Sequence, residues 1–155
     1  MKGNPKIIEC LNGLLAEELT AINQYMVHSE MCANWNYERL HTAIEARAIV
    51  EMKHAEKIIG RILFLEGTPT VSHLNKISIG ANVKQQLEND HKAELIAVNR
   101  YNKAVALAAE LTDHGTRDML TSILKDEEEH VDWLEAQLDQ IQQMSIQIYL
   151  AEQSK

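Results

Sequence analysis

The segments Glu51-Met52-Lys53-His54 and Glu127-Glu128-Glu129-His130 each place a glutamate three residues before a histidine. On an α-helix this spacing puts both side chains on one face, one turn apart. A single Glu-x-x-His motif is a weak signal, because solvated Glu–His pairs are common on helix surfaces. The two copies therefore have to be judged together with the sequence that precedes each of them.

The sequence upstream of the two motifs is also repeated. Residues 17–25, EELTAINQY, align without a gap with residues 93–101, AELIAVNRY. The interval from Glu18 to Glu51 equals the interval from Glu94 to Glu127, so one constant offset superimposes both halves. The chain is therefore predicted to be a doubled helical hairpin. The two halves together contribute four glutamates and two histidines: Glu18, Glu51, His54, Glu94, Glu127 and His130.

Composition predicts an all-α protein. The chain has 155 residues with 45% apolar content, two prolines and six glycines, which indicates one helical domain spanning residues 1–155. A net charge of −8 argues against a nucleic-acid partner, because contacts with phosphates need a basic surface. The same charge would attract cations.

The start of the chain and its cysteines indicate the compartment. Amphipathic sequence follows residues 1–5, so we expect neither a signal peptide nor a membrane span, and a cytoplasmic protein with no membrane partner. Cys10 and Cys32 do not form a Cys-x-x-Cys pair. They are predicted to be two buried, reduced thiols.

Apolar residues recur at helical spacing in four long segments and one short one. The predicted helices run from about residue 5 to 34, 37 to 66, 82 to 111, 114 to 144 and 146 to 150. Residues 67–81 have no helical period and are rich in Gly, Pro, Ser, Thr and Asn. A connection of that length can run along the whole bundle, which would make the second and third helices parallel. This is the connectivity of a ferritin-like four-helix bundle with a short C-terminal fifth helix.

All four glutamates lie within the apolar faces of their helices, and no Lys or Arg interrupts those faces beside Glu18, Glu94 or Glu127. Four buried carboxylates without a counter-charge are costly or take up protons, whereas two divalent cations would neutralise them. The alternative is that these glutamates face solvent. Oxygen ligands with one imidazole per metal suit Fe or Mn.

The same ligand set is known from di-iron carboxylate bundles, so its assignment to two iron ions here follows a known pattern. Glu51 and Glu127 are the expected bridges between the metals. Glu18 with His54 would complete one site, and Glu94 with His130 would complete the other. These six residues are the predicted metal ligands and catalytic residues.

Tyr25 and Tyr101 each follow one of these glutamates by seven residues, which is two helical turns on the same face. Their hydroxyl groups could reach the carboxylates and orient them. Equally, they could be ordinary core tyrosines with a satisfied hydroxyl.

Over essentially its whole length the sequence resembles bacterioferritins. The resemblance rests on MKG at 1–3, Glu18 with AINQY at 21–25, EMKHA at 51–55, RILFLEG at 61–67, DEE at 126–128, and His130 with DWLE at 132–135. It implies a hollow shell of 24 identical subunits built from twofold dimers, Fe(II) oxidation at the di-iron site and storage of ferric mineral inside. It also implies haem b held between two subunits by a pair of methionines, and an electron donor for iron release such as a small ferredoxin. A second bacterioferritin subunit type in the same shell stays open.

Met52 matches the methionine that binds haem in that family. It follows Glu51 directly, so on a helix it points about 100° away from the metal face. Ala48 and Ala55 are expected to flank it and leave room for a flat macrocycle. By itself, a methionine at such a position is more often a packing residue.

The sequence departs from the family just before Glu51. Many members carry histidine and carboxylates there, whereas this chain has Ala46, Arg47 and Val50. Arg47 lies one turn from Glu51, where it could pair with a site carboxylate or repel iron that passes inward. The alternative is that it turns to a surface carboxylate such as Glu45 or to the next subunit.

Three functions fit these observations. The first is an iron-storage ferroxidase, which the acidic charge and the short terminal helix favour. The second is a peroxide-reducing di-iron enzyme in which iron acts only as a cofactor, although this chain lacks the Cys-rich domain of rubrerythrin-like enzymes. The third is a haem-bearing assembly protein whose di-iron site is mainly structural.

Overall fold

The structure, a computed structural model, describes residues 1–155 and contains five helices and no strand. The helices are α1 (Pro5–Asn34), α2 (Glu38–Phe64), α3 (Val83–Glu110), α4 (His114–Met144) and α5 (Ile146–Gln153). The predicted all-α fold is confirmed, and each boundary lies within a few residues of the position expected from the apolar pattern. None of the helices is both long and apolar enough to cross a membrane.

Three of the long helices begin at a capping side chain. Asn4, Asn82 and Asp113 each accept a hydrogen bond from a backbone N–H two or three residues further on, at 2.9–3.0 Å. These bonds satisfy donors that have no partner inside the helix. Pro5 at the first helical position has no N–H to satisfy.

The long connection between α2 and α3, residues 65–82, runs along α1. The Thr70 N–H donates to the side chain of Asn12 at 2.8 Å, and further along the Gly80 N–H donates to Nε2 of His28 at 3.0 Å. The contacts advance in the same direction on both segments, so the connection returns the chain to the end of the bundle where α2 began. Helices α2 and α3 are therefore parallel, as predicted.

The apolar core has two parts, one on each side of a polar layer. One part includes Leu11, Leu15, Ile58, Leu120 and Ile123, and the other includes Tyr25, Leu40, Ile44, Leu134 and Tyr149. The buried glutamates occupy the layer between them. The rigid packing on both sides is what fixes the positions of these acidic side chains.

Helix α5 docks on the second part of the core. Tyr149 is fully buried, and its hydroxyl donates to Oε1 of Gln137 on α4 at 2.8 Å. A helix of this length is not stable alone, so this docking is what holds it. Cys32 is buried as predicted, but Cys10 is only partly buried, and both thiols are free.

Gly80 is required where the connection meets the start of α3. A Cβ at this position would lie 2.7 Å from the backbone carbon of Gln85 and would also meet the backbone nitrogen of Gln86. Gly80→Ala is therefore expected to lower the free energy of unfolding by about 1–3 kcal/mol, measured by urea denaturation. Gly13, in α1, has open space around it, so Gly13→Ala is the control and should be neutral or stabilising. Equal stability of the two variants would contradict this role of Gly80.

Candidate metal centre

The six predicted ligands meet in the polar layer at the middle of the bundle. All six are buried, and each of the four long helices contributes at least one. Helices α1 and α3 contribute one glutamate each, while α2 and α4 contribute one Glu-x-x-His motif each. The regular helical phase of every segment aims these side chains inward, because each sits on its helix's apolar face.

The ligand atoms form two groups, within each of which they lie no more than 4.8 Å apart. Their members are Glu18, Glu51, His54 and Glu127 in the first group, and Glu51, Glu94 and His130 in the second. Glu51 belongs to both groups, so its carboxylate lies between the two sets of side chains. Glu127 belongs only to the first.

His54 is surrounded by carboxylates. Its Nδ1 lies 3.1 Å from Oε2 of Glu51 and 3.0 Å from Oε1 of Glu127, and its Nε2 lies 2.8 Å from Oδ2 of Asp126. Asp126 thus holds the ring on the side away from the centre and sets which nitrogen faces the other carboxylates. In the sequence this aspartate stood out only as part of the DEE motif at 126–128, with no role of its own predicted.

His130 has a different environment. Its Nδ1 lies 2.9 Å from Oε1 of Glu94. The imidazole stacks on Trp133 with 5.9 Å between ring centroids, and Tyr25 packs edge-on against it at 5.5 Å. Aromatic packing, in place of an aspartate, therefore orients this second histidine.

The two tyrosines bind the glutamates of the opposite half. Tyr25 on α1 donates to Glu94 on α3, and Tyr101 on α3 donates to Glu18 on α1. The hydroxyl groups do reach the carboxylates, but each reaches across the bundle because α1 and α3 run in opposite directions. Burial and the nearby carboxylates hold the pKa of both tyrosines well above its usual value, so both remain donors.

Arg47 adopts the first of the two arrangements that the sequence left open, because it pairs with carboxylates of the centre. Its Nε lies 2.7 Å from Oε1 of Glu51, and its Nη2 lies 3.3 Å from Oε2 of Glu127. No Lys or Arg interrupts the apolar face beside Glu127 on its own helix, but this cation reaches Glu127 from α2. Glu45, the suggested surface partner, lies instead 3.8 Å from His41.

The carboxyl groups divide into two kinds. Burial, together with the neighbouring carboxylate of Glu51, raises the pKa of Glu18 well above the usual range. Burial, together with the neighbouring carboxylate of Glu94, does the same to the pKa of Glu127. Burial acts the same way on Glu51, but hydrogen bonds and Arg47 outweigh it and lower the pKa of that carboxyl. Burial opposes the charged form of His54, yet hydrogen bonds to glutamates raise its pKa to about 12. Cations that bind here must therefore displace protons.

Two carboxylate oxygens in the centre, Oε2 of Glu18 and Oε2 of Glu94, are buried and have no hydrogen-bond partner. Oε1 of Glu127 is also buried, and its one close neighbour is Nδ1 of His54 at 3.0 Å, out of line for a full hydrogen bond. Unpaired buried oxygens of this kind are costly, and a bound cation would satisfy them. Oxygen and imidazole donors suit Fe(II) or Mn(II). The residues present therefore fit two divalent metal ions.

A cavity of about 520 Å³ reaches the centre from the side of α1, α3 and the long connection. Glu18, Glu51 and Glu94 line its inner end, and Lys76 and Arg100 line it further out. Arg100 pairs with Glu17, which also lines the cavity. An ion can thus approach the carboxylates from this side.

Met52 lies on the outside of the bundle, with 41% of its surface exposed. It points away from the metal centre, as expected. Ala55, however, belongs to the buried core and does not flank Met52 on the outer face, whereas Ala48 is partly buried.

Comparison with known proteins agrees with this geometry. The family model described as "Ferritin-like domain" matches residues 8–144. The chain is 38% identical to a protein named "Bacterioferritin" from Mycolicibacterium paratuberculosis, over 98% of this chain and 96% of that protein. It is 42% identical to a protein of the same name from Brucella melitensis, over 90% of this chain and 86% of that protein. It is also 42% identical to one from Rhodobacter capsulatus, over 89% of this chain and 86% of that protein. This chain is matched over nearly its whole length and carries the six buried side chains on a doubled hairpin. It therefore belongs to the bacterioferritin family.

Proposed function

We propose that this protein stores iron: it oxidises Fe(II) at the buried centre and keeps the product as ferric mineral inside a hollow shell of 24 subunits. The observation that carries the proposal is the set of buried carboxylate oxygens without partners, which two cations would satisfy together with two imidazoles. The names of the relatives support the storage role.

In the proposed reaction two Fe(II) ions are the substrates, and each gives one electron to O₂ or peroxide. Glu18 and His54 would hold one ion, and Glu94 and His130 the other. Glu51 and Glu127 would bind between them and offset their positive charge. Tyr25 and Tyr101 hold two of these carboxylates in place through their hydroxyl groups.

The proposed assembly has further partners. Met52 would bind haem b together with the same residue of a twofold-related subunit, since its side chain is exposed on the outer face of α2. An electron donor such as a small ferredoxin would reduce the mineral and release iron.

We place the shell in the cytoplasm, where the free thiols Cys10 and Cys32 stay reduced. The same shell would admit a second bacterioferritin subunit type.

One observation favours a second candidate, a peroxide-reducing enzyme in which iron stays bound as a cofactor. Arg47 pairs with both predicted bridging glutamates on the side of α2 and α4. A cation there opposes the movement of iron out of the centre on that side. Iron that cannot leave would act only as a cofactor.

Particle size and iron content after aerobic loading distinguish the two functions. A storage protein is expected to form a large hollow particle that takes up far more than two irons per subunit. Size-exclusion chromatography with light scattering gives the particle mass, and elemental analysis gives the iron. Anaerobic loading of the same protein is the control and should stop at the iron held by the binding sites. Uptake of no more than two irons per subunit in air would contradict storage.

A further inference from the structure

Arg47 projects from α2 into the metal centre and makes three contacts there. Besides its two glutamate partners, its Nη1 donates to the backbone carbonyl of Asp126 on α4 at 3.1 Å. Its side chain is only 12% exposed. No other lysine or arginine pairs with any of the four glutamates. Arg47 is thus the one permanent positive charge among them.

The internal repeat shows that the bundle does not need this charge. The offset that superimposes the two halves places Ile123 at the position equivalent to Arg47. Ile123 is fully buried in the apolar core and contributes no charge. A hydrocarbon side chain therefore satisfies the packing at this position of the hairpin, and the guanidinium has to be explained by its partners in the centre.

Those partners are the two glutamates that would bridge the metal ions. Arg47 occupies Oε1 of Glu51 and lies beside Oε2 of Glu127. A bridging carboxylate uses both of its oxygens, so a guanidinium and two metal ions compete for the same atoms. We propose that Arg47 is a displaceable internal counter-ion, which divalent cations must move aside when they load the centre. This inference rests on the proposed metal-binding function.

The displaced guanidinium has a place to go on the outer side of α2 and α4. A shallow cavity of about 250 Å³ lies there, and its lining includes Ala43, Ala46 and Val50, whose small side chains leave it open. Glu129 also lines this cavity and offers an exposed carboxylate, while Trp133 offers an aromatic face. Both are favourable partners for a guanidinium.

Removal of the Arg47 guanidinium should have opposite effects on the metal-free and the metal-bound protein. Without metal, the guanidinium stabilises four buried carboxylates, and its loss should destabilise the fold. With metal bound, the same charge repels the cations or has to be moved, and its loss should strengthen metal binding. A residue with a purely structural role would change stability without strengthening metal binding.

The test compares Co(II) binding and thermal unfolding of the wild type with those of Arg47→Met, which keeps most of the side-chain volume. Co(II) absorbance at pH 8 gives stoichiometry and affinity. Arg47→Met is expected to bind Co(II) about tenfold more tightly, which corresponds to about 1.4 kcal/mol. The metal-free variant should melt at a lower temperature than the metal-free wild type.

Arg61→Met is the matched control. Arg61 lies on the same helix and is also partly buried, pairing with Asp113 and Thr116 at 2.9 Å, far from the glutamates. Its replacement should lower the melting temperature but leave the Co(II) affinity unchanged. If Arg47→Met does not fold without metal, the comparison is made with Arg47→Lys, which keeps the charge but not the planar fork and should show a smaller gain in affinity.

Two results would overturn the inference, and they differ in what they say about the centre. If wild type and variant both bind two Co(II) per subunit with equal affinity, or the variant binds more weakly, Arg47 is not a competing cation and the metal centre stands. If neither protein binds Co(II) at this stoichiometry, the proposed metal centre itself fails, and the role of Arg47 fails with it.

Discussion

Glu18→Ala and Glu94→Ala are each expected to abolish fast Fe(II) oxidation while the bundle stays folded. Each removes a carboxylate that would hold one iron, so the two-iron arrangement can no longer form. The initial rate should fall on the order of a hundredfold or more. Mutation of residues that only hydrogen-bond to metal ligands already lowers metal affinity or activity about 10–100-fold. Stopped-flow absorbance after mixing the metal-free protein with Fe(II) in air measures this rate.

The fold should tolerate these changes because each also removes a buried acidic group from a crowded set. Loss of Glu18 leaves the Tyr101 hydroxyl without its acceptor, which costs about 1–3 kcal/mol, but it also removes a buried polar group whose Oε2 has no hydrogen-bond partner. Glu9→Ala, an exposed position on the same helix as Glu18, is the control and should oxidise iron at the wild-type rate. Wild-type initial rates in both site variants would refute the ligand assignment.

Met52→Leu is expected to remove haem completely without slowing Fe(II) oxidation. Leucine keeps the apolar volume but has no sulfur to bind the haem iron, and the exposed side chain points away from the metal centre. The absorbance of protein purified from haem-supplemented cells reports haem content, and stopped-flow oxidation reports the centre.

Met26→Leu is the matched control for haem binding. Met26 is an exposed methionine on α1, with 51% of its surface accessible, and no ligand role is assigned to it. This variant should retain its haem. Wild-type haem content in Met52→Leu would show that another residue binds the macrocycle, and loss of oxidation in the same variant would show that Met52 supports the metal centre.

The amino-acid sequence alone determined the helices, their order and the six residues of the centre. Helical periodicity is local, so the apolar faces of the segments around Glu18 and Glu51 could be read directly. The internal repeat then supplied the second hairpin and its predicted ligands. The length and composition of the long connection supplied the parallel arrangement of α2 and α3, because only a segment of that reach can return along the bundle.

Only the tertiary structure decided which side chains from different helices meet. Tyr25 and Tyr101 bind the glutamates of the opposite half because α1 and α3 are antiparallel, a relation that spacing along one helix does not contain. Asp126 reaches His54 for the same kind of reason. Arg47 contacts Glu127 across the gap between α2 and α4, and the rotation of those helices and the reach of a long side chain are set by packing, which has no local signal in the sequence.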